Sequence, residues 1–304
     1  MEHHHHHHHD TDISGGKLLF SVILNIIITF AQFIGGILSG SLALLSDALH
    51  NFSDVTSLII SYYAHRISHR PQNIVQTFGY KRAEILAALF NASVLIAVSA
   101  YLIFESVDRF LHPEPVASVW VMALATLGIA VNGLSAWLLH RDSHSNLNIR
   151  SAYLHLMGDL MTSVAVLIGG GLIYSFGWYW IDPLLSLLIS LYLIRSSYGI
   201  VRESAGMLMQ FAPAHVPVDA VVETVAAFDA IEKIHHIHLW QLDDETVFLE
   251  ARLNFHEDLT LSETNCVIHE LSHALEAIGI AHTTFQPEVG KNGGETVLSH
   301  CERH

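Results

Sequence analysis

His50 and Asp54 stand four residues apart, and so do His155 and Asp159. On a helix that spacing puts both members of a pair on one face. Both pairs lie inside long apolar stretches, where an ionisable group is costly and marks a functional site by default. Asp47, three residues before His50, shares its stripe. Two imidazoles and two carboxylates form an N2O2 donor set. Four-coordination by such ligands suits Zn2+, whereas Ca2+ and Mg2+ take more oxygens and no nitrogen. Each helix supplies half of the set, so the chemistry requires the two helices to face each other. The plainer alternative is a private His–Asp hydrogen bond within each helix. Asp47 reads as a hydrogen-bond partner behind the ligands, as a proton acceptor, or as a polar residue facing an outer vestibule. Zinc needs deprotonated ligands, so metal and protons compete for one site. Imidazole titrates near ~6.5, in the useful range for such an exchange.

Elements of membrane length must hold these residues. The 304 residues are 51% hydrophobic and only 14% charged, with mean hydropathy +0.39. A soluble domain carries roughly 25% charged residues. The net charge of −15 has the wrong sign for phosphate contacts, which excludes a nucleic-acid partner. Two cysteines, Cys266 and Cys301, make no disulfide framework. A bilayer crossing takes ~20 apolar residues. Six stretches qualify: Leu18–Leu38, Leu42–Ile67, Ala83–Phe110, Val116–Leu139, Ser151–Phe176 and Pro183–Val201. Lys17, Arg66, Arg70, Lys81, Arg82, Arg141, Arg150, Arg195 and Arg202 fall on one side of this arrangement, with Arg109 near the other. The positive-inside rule then puts both termini in the cytoplasm.

The expected organisation is a His-rich tail over 1–16, a six-helix transmembrane domain over 17–208, an α+β domain over 209–290 and a His/Cys tail over 291–304. The run His3–His9 reads equally as an expression tag or as a metal-collecting tail. The α+β domain reads helix (Val218–Phe228), strands (Ile231–Leu242 and Thr246–Phe255), helix (Leu261–Ala277) and strand (Ile280–Pro287). Thr260 or Ser262 caps the second helix.

Several residues outside the membrane are candidate regulatory metal ligands. Cys266, His269 and His273 share one helix face. His235 and His282 belong to strands, and His300 and Cys301 to the C-terminal tail. His269-Glu270-Leu271-Ser272-His273 also spells the H-E-x-x-H metalloprotease signature, with Glu270 in the place of a general base. The domain is too small for a protease cleft and no third ligand follows at a protease spacing. A non-enzymatic protein is expected.

The segment Ser39–Asp54 resembles the second span of cation diffusion facilitators. Thr77–Glu84 resembles the loop after it, and Asn148–Asp159 the fifth span. Ile234–Trp240 and Thr283–Gln286 resemble the family's cytosolic domain. The likeness covers nearly all of the chain after Lys17 and is nearest to bacterial zinc exporters of the zinc-transporter branch. It implies a homodimer in a bacterial inner membrane, six spans per protomer and a cytosolic ferredoxin-like domain. It implies Zn2+ as transported substrate, with no cofactor, exported by alternating access in exchange for protons. His50, Asp54, His155 and Asp159 match its transport site. Members with a carboxylate in place of the first histidine also move Cd2+. The loop after the second span departs from relatives that bind metal there: Asn73, Gln76 and Tyr80 stand in that neighbourhood. Arg252 replaces the usual strand partner of His235. The competing reading is a membrane-bound zinc sensor or buffer without flux; an intramembrane metalloprotease is the more remote one.

Overall fold

The computed structural model describes residues 10–140 and 147–290. The N-terminal histidine run, His300 and Cys301 lie outside the described residues. Contacts divide the chain into two compact units, Met1–Ile60 with Phe90–Ile200, and Ser61–Leu89 with Val201–His304.

Each of the six apolar stretches forms a helix: α1 (Asp10–Ser39), α2 (Leu42–Ser68), α3 (Ala83–Leu111), α4 (Ser118–His140), α5 (Leu147–Phe176) and α6 (Ile181–Leu208). All but α2 contain a segment long and apolar enough to cross a membrane. α2 is as long but carries Asp47, His50, Asp54, His65 and Arg66. α6 begins two residues before the expected Pro183, because a proline in the first turn forgoes only an N–H that has no helical partner there.

In the first unit many large apolar side chains face outward, while small polar ones join Leu44, Leu102 and Leu193 inside. Leu38, Phe104, Trp137 and Tyr192 are exposed, whereas Ser46, Ser99, Ser135, Ser163, Ser186 and Ser190 are completely buried. That inversion suits helices packing in lipid, where small residues let backbones approach and hydroxyls bond across helices. The Ser46 and Ser186 hydroxyls, on α2 and α6, lie 2.7 Å apart. α4 packs against α1 and α5.

The start of α2 is fixed by a residue far along the chain. Asp182, in the first turn of α6, accepts hydrogen bonds from the Ser41 hydroxyl (2.5 Å) and the Leu42 amide (2.6 Å). These satisfy donors that a helix N-terminus leaves free. Gly40 makes the preceding turn with φ +70°, which a side chain would resist. Its carbonyl accepts a 2.5 Å bond from Arg109 on α3. This clamp sets the phase of α2, and with it the direction in which His50 and Asp54 point.

The second unit contains a three-stranded sheet in the order β1 (Ile231–Gln241), β2 (Val247–Phe255), β3 (His282–Val289). β1 and β2 pair antiparallel, and β2 and β3 parallel. The parallel pair is joined through α8 (Leu261–Glu276). Apolar residues of α7 (Val218–Ala226), α8 and the sheet make one core, in which Val221, Leu249, Leu253, Leu271 and Leu275 are fully buried. Thr260, not Ser262, caps α8, in a capping box with Glu263. β1 carries a bulge after His235. His236 there has φ +53°.

Candidate metal centre

α2 and α5 bring His50, Asp54, His155 and Asp159 together. His50 Nδ1 lies 3.4 Å from Asp54 Oδ2, and His155 Nε2 lies 3.6 Å from Asp159 Oδ2. Across the helices, His50 Nε2 is 3.7 Å from Asp159 Oδ1 and His155 Nε2 is 3.4 Å from Asp54 Oδ2. The contacts between helices are therefore as short as those within them. Two private His–Asp pairs would not share their carboxylates this way; the four residues form one ring.

All four distances exceed a good hydrogen bond. Buried His50 Nδ1, Asp54 Oδ2 and Asp159 Oδ2 make no hydrogen bond among the described residues. Orphaned buried polar atoms are expensive. Gathered as two nitrogens and two carboxylates facing one another, they suit a cation that takes all of them at once. Side-chain exposure is graded, from 1% at Asp159 and 15% at His50 to 31% at Asp54 and 43% at His155. The ring is closed on the Asp159 side and open on the His155 side.

Asp47 is not exposed to a vestibule: it is 1% accessible. It accepts hydrogen bonds from Thr162 Oγ1 (2.6 Å), Gln32 Nε2 (3.2 Å) and Ser163 Oγ (3.3 Å). The Thr162 hydroxyl also lies 2.9 Å from the Asp159 carbonyl. Asp47 thus ties α2 to α1 and α5 one helical turn behind the ring. Asn25 on α1, which accepts a 3.3 Å hydrogen bond from the Thr29 hydroxyl, is a further polar residue in the neighbourhood of Asp159. Gly128 on α4 makes room for this network, since a Cβ there would meet Gln32 Nε2 at 2.7 Å and Ser163 Oγ at 3.0 Å. Gln32, Thr162, Ser163, Asn25 and Gly128 carry no spacing signal in the sequence. The polar amides Asn25 and Gln32 within the apolar stretch Leu18–Leu38 are the one hint the sequence offers.

The candidates in the second unit are scattered. His235 is buried, with Nε2 3.4 Å from Glu288 Oε2, and Glu288 in turn pairs with Arg252 at 3.4 Å. The substituted strand partner of His235 thus shares its carboxylate. His282 begins β3 and its ring lies 4.7 Å from that of Phe248. On α8, His269 and His273 approach with their Nε2 atoms 3.3 Å apart, and His273 Nδ1 is 3.2 Å from Glu276. Cys266 is exposed and free. It does not join His269 and His273 in a three-ligand group among the described residues.

A helical bundle with a His–Asp ring closed on one side, followed by a small α/β unit, defines a class of membrane metal transporters. The sequence matches the Cation efflux transmembrane domain over residues 18–209 and the Cation efflux protein, cytoplasmic domain, over residues 213–289. The chain belongs to the cation efflux family, the cation diffusion facilitators. It is 37% identical over 283 residues to the "Cadmium, cobalt and zinc/H(+)-K(+) antiporter" of Bacillus subtilis (strain 168), covering 92% of this chain and 91% of that one. It is 33% identical over 303 residues to "Zinc transporter ZitB" of Escherichia coli (strain K12), covering 96% and 95%. With the "Metal cation efflux system protein CzcD" of Cupriavidus metallidurans it shares 33% identity over 262 residues, or 85% and 82% of the two chains.

Proposed function

We propose that this protein is a secondary transporter that exports Zn2+ from the cytoplasm in exchange for protons, working as a homodimer with six spans per protomer and both termini inside. The single observation that carries the reading is the ring of His50, Asp54, His155 and Asp159, in which every carboxylate is shared between α2 and α5. α2 is the sixth span. Its polar residues point into the bundle at Asp47 and at the ring, so its modest hydropathy does not bar it from lipid. The names of the relatives add zinc, cadmium and cobalt as cargo and protons and potassium as counter-ions, of which the ring's ligands favour protons.

The mechanism follows from the donor set. Zn2+ binds deprotonated ligands, so its entry displaces protons from the ring and its departure invites them back. Asp54 and His155, the two more exposed members, are each the nearer of their pair to a basic helix end, at Arg66 and Arg150. Under the positive-inside orientation that end is cytoplasmic, and the geometry fits metal entry from there. Release requires the ring to open on the Asp159 side, the step that alternating access supplies. Asp47, held by Thr162 and Ser163, keeps α2 and α5 in register and is the nearest further carboxylate able to take a proton.

The α/β unit tunes activity in this reading and does not carry ions. The paired His269 and His273 support a regulatory role on α8 better than His235, whose ring is engaged with Glu288. The test is Zn2+ flux in proteoliposomes with each face buffered separately. Transport should respond to an imposed pH gradient and stop when Asp159 is replaced. Zinc binding without flux would make the protein a sensor or buffer, and flux that ignores the pH gradient would make it a facilitator.

A further inference from the structure

A second cluster lies at the other end of α2. His65 and His69 are i, i+4 in its last turns, and Glu84 sits in the first turn of α3. Their ligand atoms all lie within 4.8 Å of one another. His65 Nδ1 is 3.2 Å from Glu84 Oε1, and the two imidazole rings are 4.2 Å apart.

The surroundings hold these groups as a site holds ligands. His69 Nδ1 lies 2.9 Å from the His65 carbonyl. With the proton on Nδ1 that bond is donated, leaving Nε2 bare, which is how metal-binding histidines are usually fixed. The Ser68 hydroxyl, buried beneath the cluster, donates to Glu84 Oε1 at 2.5 Å and orients the carboxylate. The cluster opens into a surface cavity of about 180 Å³ whose far wall is the acidic turn Asp243-Asp244-Glu245. One cation, Lys81, lines the same cavity, and it is paired with Asp243 at 3.4 Å. The negative charge facing the histidines is therefore in excess of its protein counter-charge.

We propose that His65, His69 and Glu84 form a second divalent-cation site, separate from the ring of α2 and α5, which takes Zn2+ or a similar late transition ion and ties the end of α2 to the start of α3. Two imidazoles and one carboxylate select such ions over Mg2+ and Ca2+. The acidic turn raises the local cation concentration and leaves the fourth position to water. This site is distinct from the neighbourhood of Asn73, Gln76 and Tyr80, where Asn73 and Gln76 are consumed in capping their own turn.

The test uses the full chain without residues 3–9, in detergent, carrying Asp54→Ala, Asp159→Ala, Cys266→Ser and Cys301→Ser. The transport ring and the native thiols are then silent, and the result does not depend on whether the protein transports zinc. Co2+ is titrated by absorption and counted after desalting. His65→Gln/His69→Gln should lose one bound Co2+ per chain, and Glu84→Gln should weaken that site by about tenfold. Equal stoichiometry and affinity in all three proteins would overturn the proposal. His65→Cys/His69→Cys guards against misfolding of the glutamine variants: it should bind Co2+ with a thiolate-to-cobalt charge-transfer band. A monodisperse cysteine variant that shows no such band would overturn it equally.

Discussion

α2 carries two histidine clusters built from the same parts. Near its middle, His50 and Asp54 face a His–Asp pair on α5. At its end, His65 and His69 face a glutamate on α3. Each uses i, i+4 spacing and borrows a carboxylate from another helix, yet the environments differ. In the first, exposure runs from 1% at Asp159 and 15% at His50 to 31% at Asp54 and 43% at His155, so one side of the ring is enclosed. In the second, the side chains of His65 and Glu84 are 63% and 43% exposed. An enclosed charge cannot wait for solvent to neutralise it. In the proposed mechanism the buried side of the ring therefore holds either protons or metal, and the two exchange there. The exposed cluster has no such compulsion and equilibrates with the solution beside it. Ligand identity selects the ion; under the two proposals, burial separates a site that carries it from one that equilibrates with the solution.

The strongest way to break this comparison is to remove one buried ligand. Asp159→Asn keeps the shape and removes the charge. Flux in proteoliposomes should fall to the level of protein-free vesicles, with thermal stability in detergent retained. His50→Ala, Asp54→Ala and His155→Ala should behave alike, whereas His65→Gln should leave substantial flux. Transport persisting in Asp159→Asn would remove the ring from the mechanism.

His50→Asp sharpens the comparison by changing the donor and not the enclosure. A third carboxylate in place of an imidazole relaxes discrimination, and the Cd2+ to Zn2+ flux ratio should rise by roughly tenfold. An unchanged ratio would show that His50 does not set selectivity. A smaller effect is expected behind the ring. Gly128→Ala pushes Gln32 and Ser163, both donors to Asp47, and Thr162→Val removes a third. Each should reduce apparent Zn2+ affinity by about tenfold, as loss of the partners that orient metal ligands does. Binding isotherms with 65Zn distinguish this from unfolding.

The smallest effects belong to the exposed region and depend on pH. Burial opposes the charge on Asp243, but the Thr246 hydroxyl, the Glu245 and Thr246 amides and Lys81 together hold its carboxyl below the ordinary 3.8. Asp244 is pushed the other way, by burial first and then by Glu84, Asp243, Glu203 and Glu245. A depressed carboxyl stabilises above its unfolded pKa, and the contribution is lost as pH falls through the folded one. Asp243→Ala should therefore weaken hydrogen-exchange protection of the Thr246 amide at pH 7, with the difference from wild type closing below about pH 4. A raised carboxyl has the opposite sign: its stability is present at acid pH and lost as pH rises through the folded pKa. Asp244→Asn should increase protection at pH 7 and match wild type in acid. Parallel behaviour of the two variants would contradict the charge balance assigned to this turn.

Much of the His–Asp ring was legible because helical geometry makes spacing into position. Four residues bring His50 over Asp54 and His155 over Asp159 in any helix, and low polarity around them signals the cost of placing them there. The small domain was legible for a similar reason: alternation along Val247–Phe255 and the Thr260–Glu263 box are local. Boundaries moved where local rules permit more than one start, as at Pro183. The partners of Asp47 were not legible. Gln32, Thr162 and Ser163 are 15, 115 and 116 residues from it. Single Gln, Thr and Ser residues in apolar spans carry no periodic mark. His65, His69 and Glu84 escaped for another reason: the histidines share a helix face, but their carboxylate arrives only when the loop between α2 and α3 closes.

By itself the sequence determined which residues can ligate, which helix face each occupies and how many helices the chain can form, since these depend on interactions within a few residues. Only the tertiary structure decided which faces meet. Asp182 reaches back 140 residues to fix the start of α2. The carboxylates of α2 and α5 are shared, where the spacing pointed to one site but also allowed two separate pairs. Asp47 is buried among hydroxyls and does not face a vestibule. These outcomes depend on packing between helices distant in the chain, where the cost of an unsatisfied buried polar atom selects one arrangement among many that local propensity leaves equal.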